Sequence, residues 1–99
     1  GNEKFKAGDY PGAIKEFDEG LKRDPKNKNL YSNRCAALIK LNAPVDALKD
    51  AEKCLELDPK FAKAYAKKGN CHVLLREYHK AMRAFEQGLE LDPTSAECT

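Results

Sequence analysis

The sequence predicts an all-α chain in which short antiparallel helix pairs stack side by side as a solenoid. Two observations point there. The dipeptide Asp-Pro returns every 34 residues, as Asp24-Pro25, Asp58-Pro59 and Asp92-Pro93. Between these marks, equivalent positions keep their character: Ala13, Ala47 and Ala81; Leu21, Leu55 and Leu89; the small trio Gly20, Cys54 and Gly88; the apolar trio Phe5, Ile39 and Val73. Self-similarity at such a period means a unit of two helices that cannot bury its apolar face alone and must stack on its neighbours. Each Asp-Pro closes a unit, because proline lacks a backbone donor and fixes its own φ, which stops one helix before the next begins.

Taken in order, the chain reads as one domain over 1–99: a partial repeat at 1–27, full repeats at 28–61 and 62–95, and the start of a capping segment at 96–99. The partial repeat opens inside its first helix, whose tail is 2–7. Gly8-Asp9-Tyr10 makes the turn, and a second helix over 11–23 carries Pro11 in its first turn, where a missing N–H costs nothing. The second repeat is expected to form helices near 28–41 and 44–57 around Asn42-Ala43-Pro44. In the third, helices over 62–75 and 79–92 flank a turn near Arg76-Glu77. A partial repeat in front and an unfinished cap behind imply a natural protein longer at both ends, since terminal repeats need a polar cover.

Bulk properties exclude several classes. No apolar run approaches the roughly 20 residues of a membrane span, and no signal-peptide pattern opens the chain, so a soluble, cytoplasmic protein is expected. A net charge of +2 does not by itself call for nucleic acid. Cys35, Cys54, Cys71 and Cys98 show no CxxC spacing, which fits a reducing compartment; Cys35 and Cys54 stand at small-residue positions and read as inert core fillers. His72 and His79 lie near Cys71 and Glu77, but no quartet has zinc spacing, and both read as surface residues with no metal. Without a Gly-rich phosphate loop, nucleophile elbow or carboxylate pair, the chain reads as no enzyme and needs no cofactor.

Charge is distributed by helix type. The first helices of the units (1–7, 28–41, 62–75) hold eight bases against Glu3 alone, whereas the second helices (11–24, 45–58, 79–92) hold seven bases against twelve acids. At about 100° of rotation per residue, Lys63, Lys67 and Asn70 share one stripe, while Tyr65, Lys68 and Gly69 turn away from it. The same stripe reads Asn2 and Lys6 in the first unit and Asn29, Asn33, Ala36 and Lys40 in the second; in the third, Leu74 completes it. It holds no acid. Asn2, Lys6, Asn33, Lys40, Lys63, Lys67 and Asn70 are therefore the candidate residues for an anionic partner.

A 34-residue unit with Tyr31 or Tyr65, Gly69, Ala81, Phe85, Gly88 and a closing proline resembles the tetratricopeptide repeat. Lys4, Leu38 and His72 depart from it where the repeat has Tyr, and Ala51 replaces an aromatic. The resemblance implies a right-handed superhelix whose first helices line a concave groove. Gly1-Asn2, Leu30-Tyr31-Ser32-Asn33-Arg34 and Lys63-Ala64-Tyr65-Ala66-Lys67 are further similar to the carboxylate-clamp members, which grip the acidic, EEVD-type C-terminal tails of heat-shock protein 70 and heat-shock protein 90. Gly8-Asp9-Tyr10-Pro11 and the stretch 22–41 resemble the last clamp domain of the stress-inducible Hsp70/Hsp90-organising co-chaperones.

Carried over, this implies that Asn2 and Asn33 hold the terminal main-chain carboxylate, Lys63 the side-chain carboxylate of a final aspartate, and Lys67 the peptide just upstream. The family's first clamp lysine would fall four residues before Asn2, outside this chain, and Lys67 stands where the family usually has arginine, whose bidentate fork lysine cannot make. Two other readings of the same resemblance are a generic scaffold whose groove takes an internal segment, and the adaptor part of a larger enzyme such as an immunophilin or phosphatase.

Overall fold

A computed structural model describes residues 7–92. The helix tail expected at 2–7, apart from Ala7, and the capping segment at 96–99 lie outside the described residues. Five helices follow in order among the described residues: α1 (Tyr10–Arg23), α2 (Lys28–Lys40), α3 (Pro44–Leu57), α4 (Ala62–Leu74) and α5 (Tyr78–Leu91). There is no strand among them. Helices α2 and α3 form one pair and α4 and α5 the next, while α1 stands 34 residues before α3 as its counterpart in the period.

The 34-residue period is visible in the backbone itself. One residue turns left-handed at each equivalent position: Gly8 at φ 84° ahead of α1, Asn42 at 56° after α2 and Arg76 at 61° after α4. After α2, the Ala43 N–H donates to the Leu38 carbonyl at 2.9 Å and the Asn42 N–H to Ile39 at 3.0 Å. After α4, Glu77 donates to His72 at 2.8 Å and Arg76 to Val73 at 3.0 Å. This double closure satisfies carbonyls that a helix end leaves orphaned, and it sets the reversal between the paired helices. It also ends α2 and α4 one residue earlier than the sequence pattern indicates, because Leu41 and Leu75 serve as caps.

The second helices end alike. Asp24, Asp58 and Asp92 each donate a backbone N–H to the residue four earlier, at 2.9, 2.8 and 2.9 Å, and then leave helical geometry. After Asp58, Pro59 and Lys60 make the turn, and the Lys60 N–H returns to the Asp58 carboxylate at 3.1 Å. Asp-Pro is thus a turn with a mechanism, since the aspartate side chain folds back on the chain that follows it.

Small residues let the helices approach. Ala47, Ala51, Cys35 and Cys71 form the central cluster, with Leu38, Ile39 and Leu48 packed around it. A Cβ built on Gly69 would meet the Phe85 ring at 2.5 Å, so only glycine admits this contact between α4 and α5. Each helix packs on the next in sequence, and α2 also packs on α4, whereas α1, α3 and α5 stand further apart. The stack therefore closes on the side of the first helices and opens crevices between the second helices. No helix among the described residues is long and apolar enough to cross a membrane.

Candidate functional site

Packing of α2 against α4 places two rows of the predicted stripe on neighbouring helices: Asn33 and Lys40 on α2, Lys63, Lys67 and Asn70 on α4. Lys40, Lys63 and Asn70 are exposed, while Asn33 and Lys67 are half-buried. Among the described residues, none of these five side chains makes a hydrogen bond or ion pair. Asn2 and Lys6, the other two predicted site residues, lie outside the described residues. Lys63 and Lys67 occupy successive turns of α4, as their spacing of four requires. Long aliphatic stems of this kind let an ammonium head reach water and an external carboxylate.

Lys28 and Arg34 behave differently. Arg34, which lies off the stripe, turns toward the second helices, where its Nε and Nη2 donate to the Asp50 carboxylate at 2.9 and 2.7 Å, and Nη1 donates to Asp18 at 2.7 Å. Asp50 is buried, and the guanidinium is raised further above its ordinary value, first of all by its bond to Asp50. Lys28 pairs with Asp58 and lies 4.8 Å from the centre of the Phe61 ring, which ties the start of the second repeat to its end. The Lys28 hydrogen bond holds the Asp58 carboxyl below the usual carboxylate range. The sequence-level excess of base on the first helices therefore divides in two. Lys28 and Arg34 are neutralised by acids of the second helices; Lys40, Lys63, Lys67 and Lys68 have no acidic partner among the described residues.

The reading of one single residue needs adjustment. His72 is not at the surface: it is 5% exposed, and its Nδ1 lies 3.0 Å from the Glu77 carboxylate, which it holds below the ordinary range. The signal was present, because His72 stands 34 residues after Leu38, an apolar packing position. His79 is exposed, as read. Cys35 and Cys54 are fully buried free thiols. Burial pushes Cys54 up to about 11, and Cys35 is raised further by its hydrogen bond to Cys71 and by burial. Neither is a thiolate at neutral pH, so neither offers a nucleophile. No group of three or more His, Cys, Asp or Glu side chains among the described residues could hold a metal ion.

The sequence profile of the tetratricopeptide repeat matches residues 62–95. The solution structure of the first tetratricopeptide domain of human RPAP3 superimposes with a TM-score of 0.95 and 32% identity, covering 98% of this chain and 76% of that one. The chain belongs to the tetratricopeptide repeat family. The TPR2B domain of yeast Sti1, solved in its complex with pHsp70, superimposes with a TM-score of 0.89 at 36% identity over 92% of this chain and 73% of that one. Among curated proteins, stress-induced-phosphoprotein 1 of Caenorhabditis elegans is 61% identical over 41 residues, which are 41% of this chain. The chain covers 13% of the worm protein's length. As in other tetratricopeptide superhelices, the helix pairs stack right-handedly, and the face built by α2 and α4 is that of the first helices.

Proposed function

We propose that this tetratricopeptide domain is a co-chaperone adaptor that binds the acidic C-terminal tail of heat-shock protein 70 or heat-shock protein 90 in the groove formed by its first helices. The observation that carries the reading is the division of the first-helix bases. Among the described residues, the stripe cations Lys40, Lys63 and Lys67 have no internal partner, whereas Lys28 and Arg34, which lie off the stripe, are neutralised. An electrostatically uncompensated, acid-free face is suited to an anionic partner. Relatives support the choice of partner: the first tetratricopeptide domain of Spaghetti (RPAP3) is solved bound to the HSP90 peptide SRMEEVD, and the second domain of human RPAP3 to the HSP70 peptide SGPTIEEVD.

In this reading Asn33, with Asn2, holds the terminal carboxylate, Lys63 holds the side chain of the last aspartate, and Lys67 meets the peptide upstream. Lys6, Lys40 and Asn70 extend the same stripe. Each charge-assisted bond contributes about 1.5 to 3 kcal/mol. Three or four of them, less the ordering of the peptide, give an affinity near micromolar, on the order of 8 kcal/mol. That strength suits a reversible adaptor, working by binding rather than catalysis. The free, buried thiols of Cys35, Cys54 and Cys71 fit a reducing cytosol.

Titration of the 99-residue chain with the peptide SRMEEVD, as the free acid and as the C-terminal amide, tests the proposal. Amidation removes one carboxylate charge and is expected to abolish most of the affinity. Equal affinity of the two forms would reject the clamp and favour a groove that takes internal segments.

A further inference from the structure

The crevices between the second helices are equivalent sites one repeat apart, yet their charge is inverted. The first, of about 320 Å³, is lined by Asp18, Arg34, Asp46, Lys49 and Asp50. Moving on by 34 residues turns these into Glu52, Lys68, Lys80, Arg83 and Ala84, which line a second crevice of about 440 Å³ together with His72. In the first crevice the central cation is satisfied from within, by the two-pronged contact of Arg34 with Asp50 and a third bond to Asp18. In the second, alanine replaces the buried aspartate and lysine replaces Asp46.

Three cations, Lys68, Lys80 and Arg83, then face one acid of the lining, Glu52, and among the described residues no carboxylate lies in ion-pair distance of Lys68 or Arg83. Lys80 makes only a 3.4 Å contact to Glu77, three residues away on the exposed rim. Such a pair between exposed groups contributes little and yields readily to a competing carboxylate.

We propose that this second crevice, on the opposite side of α4 from the peptide groove, is a docking site for an acidic segment of a partner protein, whose carboxylate takes the place that Asp50 fills one repeat earlier. The volume argues for side chains rather than an inorganic ion, since a water molecule's share of liquid is about 30 Å³. Loss of the aspartate side chain both enlarges the crevice and leaves its cations uncompensated, so one change supplies the room and the charge. The site is independent of the groove, because its cations leave α4 on the Lys68 side and come otherwise from α5.

The test uses an N-acetylated, C-amidated hexaglutamate, which has no terminal carboxylate for a clamp, followed by amide NMR shifts of the 99-residue chain. Shifts at Lys68, Lys80, Arg83 and Ala84 are expected. Arg83→Ala, an exposed position with no internal bond, is expected to weaken binding at least threefold, and Ala84→Asp, which restores the internal carboxylate, at least tenfold. Unchanged affinity in Arg83→Ala, shifts confined to Lys63 and Lys67, or equal perturbation of the crevice by inorganic phosphate would each overturn the proposal. Should Ala84→Asp fail to fold, Arg83→Ala and the phosphate comparison still decide it.

Discussion

Arg34 shows most clearly what a single residue does here. Counted along the chain, it adds a positive charge to a basic helix; in the fold, it joins three helices through Asp18 and Asp50, each sixteen residues away. No local spacing announces that contact, because both acids sit on other helices and the meeting depends on how α1 and α3 flank α2. Asp50 is buried, so removing the guanidinium leaves a carboxylate that cannot return to water without unpacking the core. Arg34→Ala is expected to destabilise the fold by about 3 kcal/mol, the lower end for a broken buried pair, since Arg34 and Asp18 remain partly solvated. Urea unfolding measures this. A loss below about 0.5 kcal/mol would mark the contact as an ordinary surface pair.

At the scale of the element, the turns between paired helices were legible in position and the caps were not. Gly8-Asp9-Tyr10, Asn42-Ala43-Pro44 and Arg76-Glu77 all sit where the period puts them, but that Asn42 and Arg76 both adopt the left-handed conformation follows from the carbonyls they must close, not from their own preference. Glycine takes this conformation freely, asparagine tolerates it, and arginine pays a steric penalty of about 1 kcal/mol. Arg76→Gly is therefore expected to raise stability by about 1 kcal/mol, read as a melting temperature higher by roughly 4–8 °C in a domain of this size. A lower melting temperature would show that the Arg76 side chain contributes more than its backbone costs.

The tie between Lys28 and Asp58 is a second element-scale device, joining the first turn of α2 to the residue that ends α3. Its pH dependence has a definite sign. The folded-state pKa of Asp58 is depressed, so the stabilisation is present above the unfolded carboxylate value of about 3.9 and is lost as pH falls through the lower native value. Asp58→Asn is expected to melt below the parent at pH 7 and level with it in strong acid. A difference that persists unchanged at pH 2 would assign the effect to the Asp58 cap rather than to its charge.

For the whole molecule, the solenoid was readable because a repeat states the same physics three times: proline stops, small contact positions, and apolar faces at one period. Charge was less readable. The tally by helix type was right in sign, but only the packing of α2 on α4, and of Arg34 against α1 and α3, separates cations left for a partner from cations already spent. His72 was misplaced for a similar reason, as its repeat position outweighs its residue type. Because groove lysines are only partly shielded, affinity for an acidic tail is expected to fall steeply between 0.05 and about 1 M salt, where the Debye length shrinks to about 3 Å, while the fold holds. Calorimetry at both ionic strengths checks this, and equal affinity would assign binding to apolar contacts.

The most direct test of the clamp is a double-mutant cycle between Lys63→Ala and a free-acid SRMEEVD peptide whose last residue is changed from aspartate to asparagine. Lys63 is exposed and unpaired, so its alanine variant should keep the parent's melting temperature. If Lys63 holds that side-chain carboxylate, either change alone weakens binding ten- to a hundredfold, and the second then adds almost nothing, a coupling of about 1.5 to 3 kcal/mol. Losses that simply add would contradict the account, because the lysine and the aspartate would then be acting on different partners.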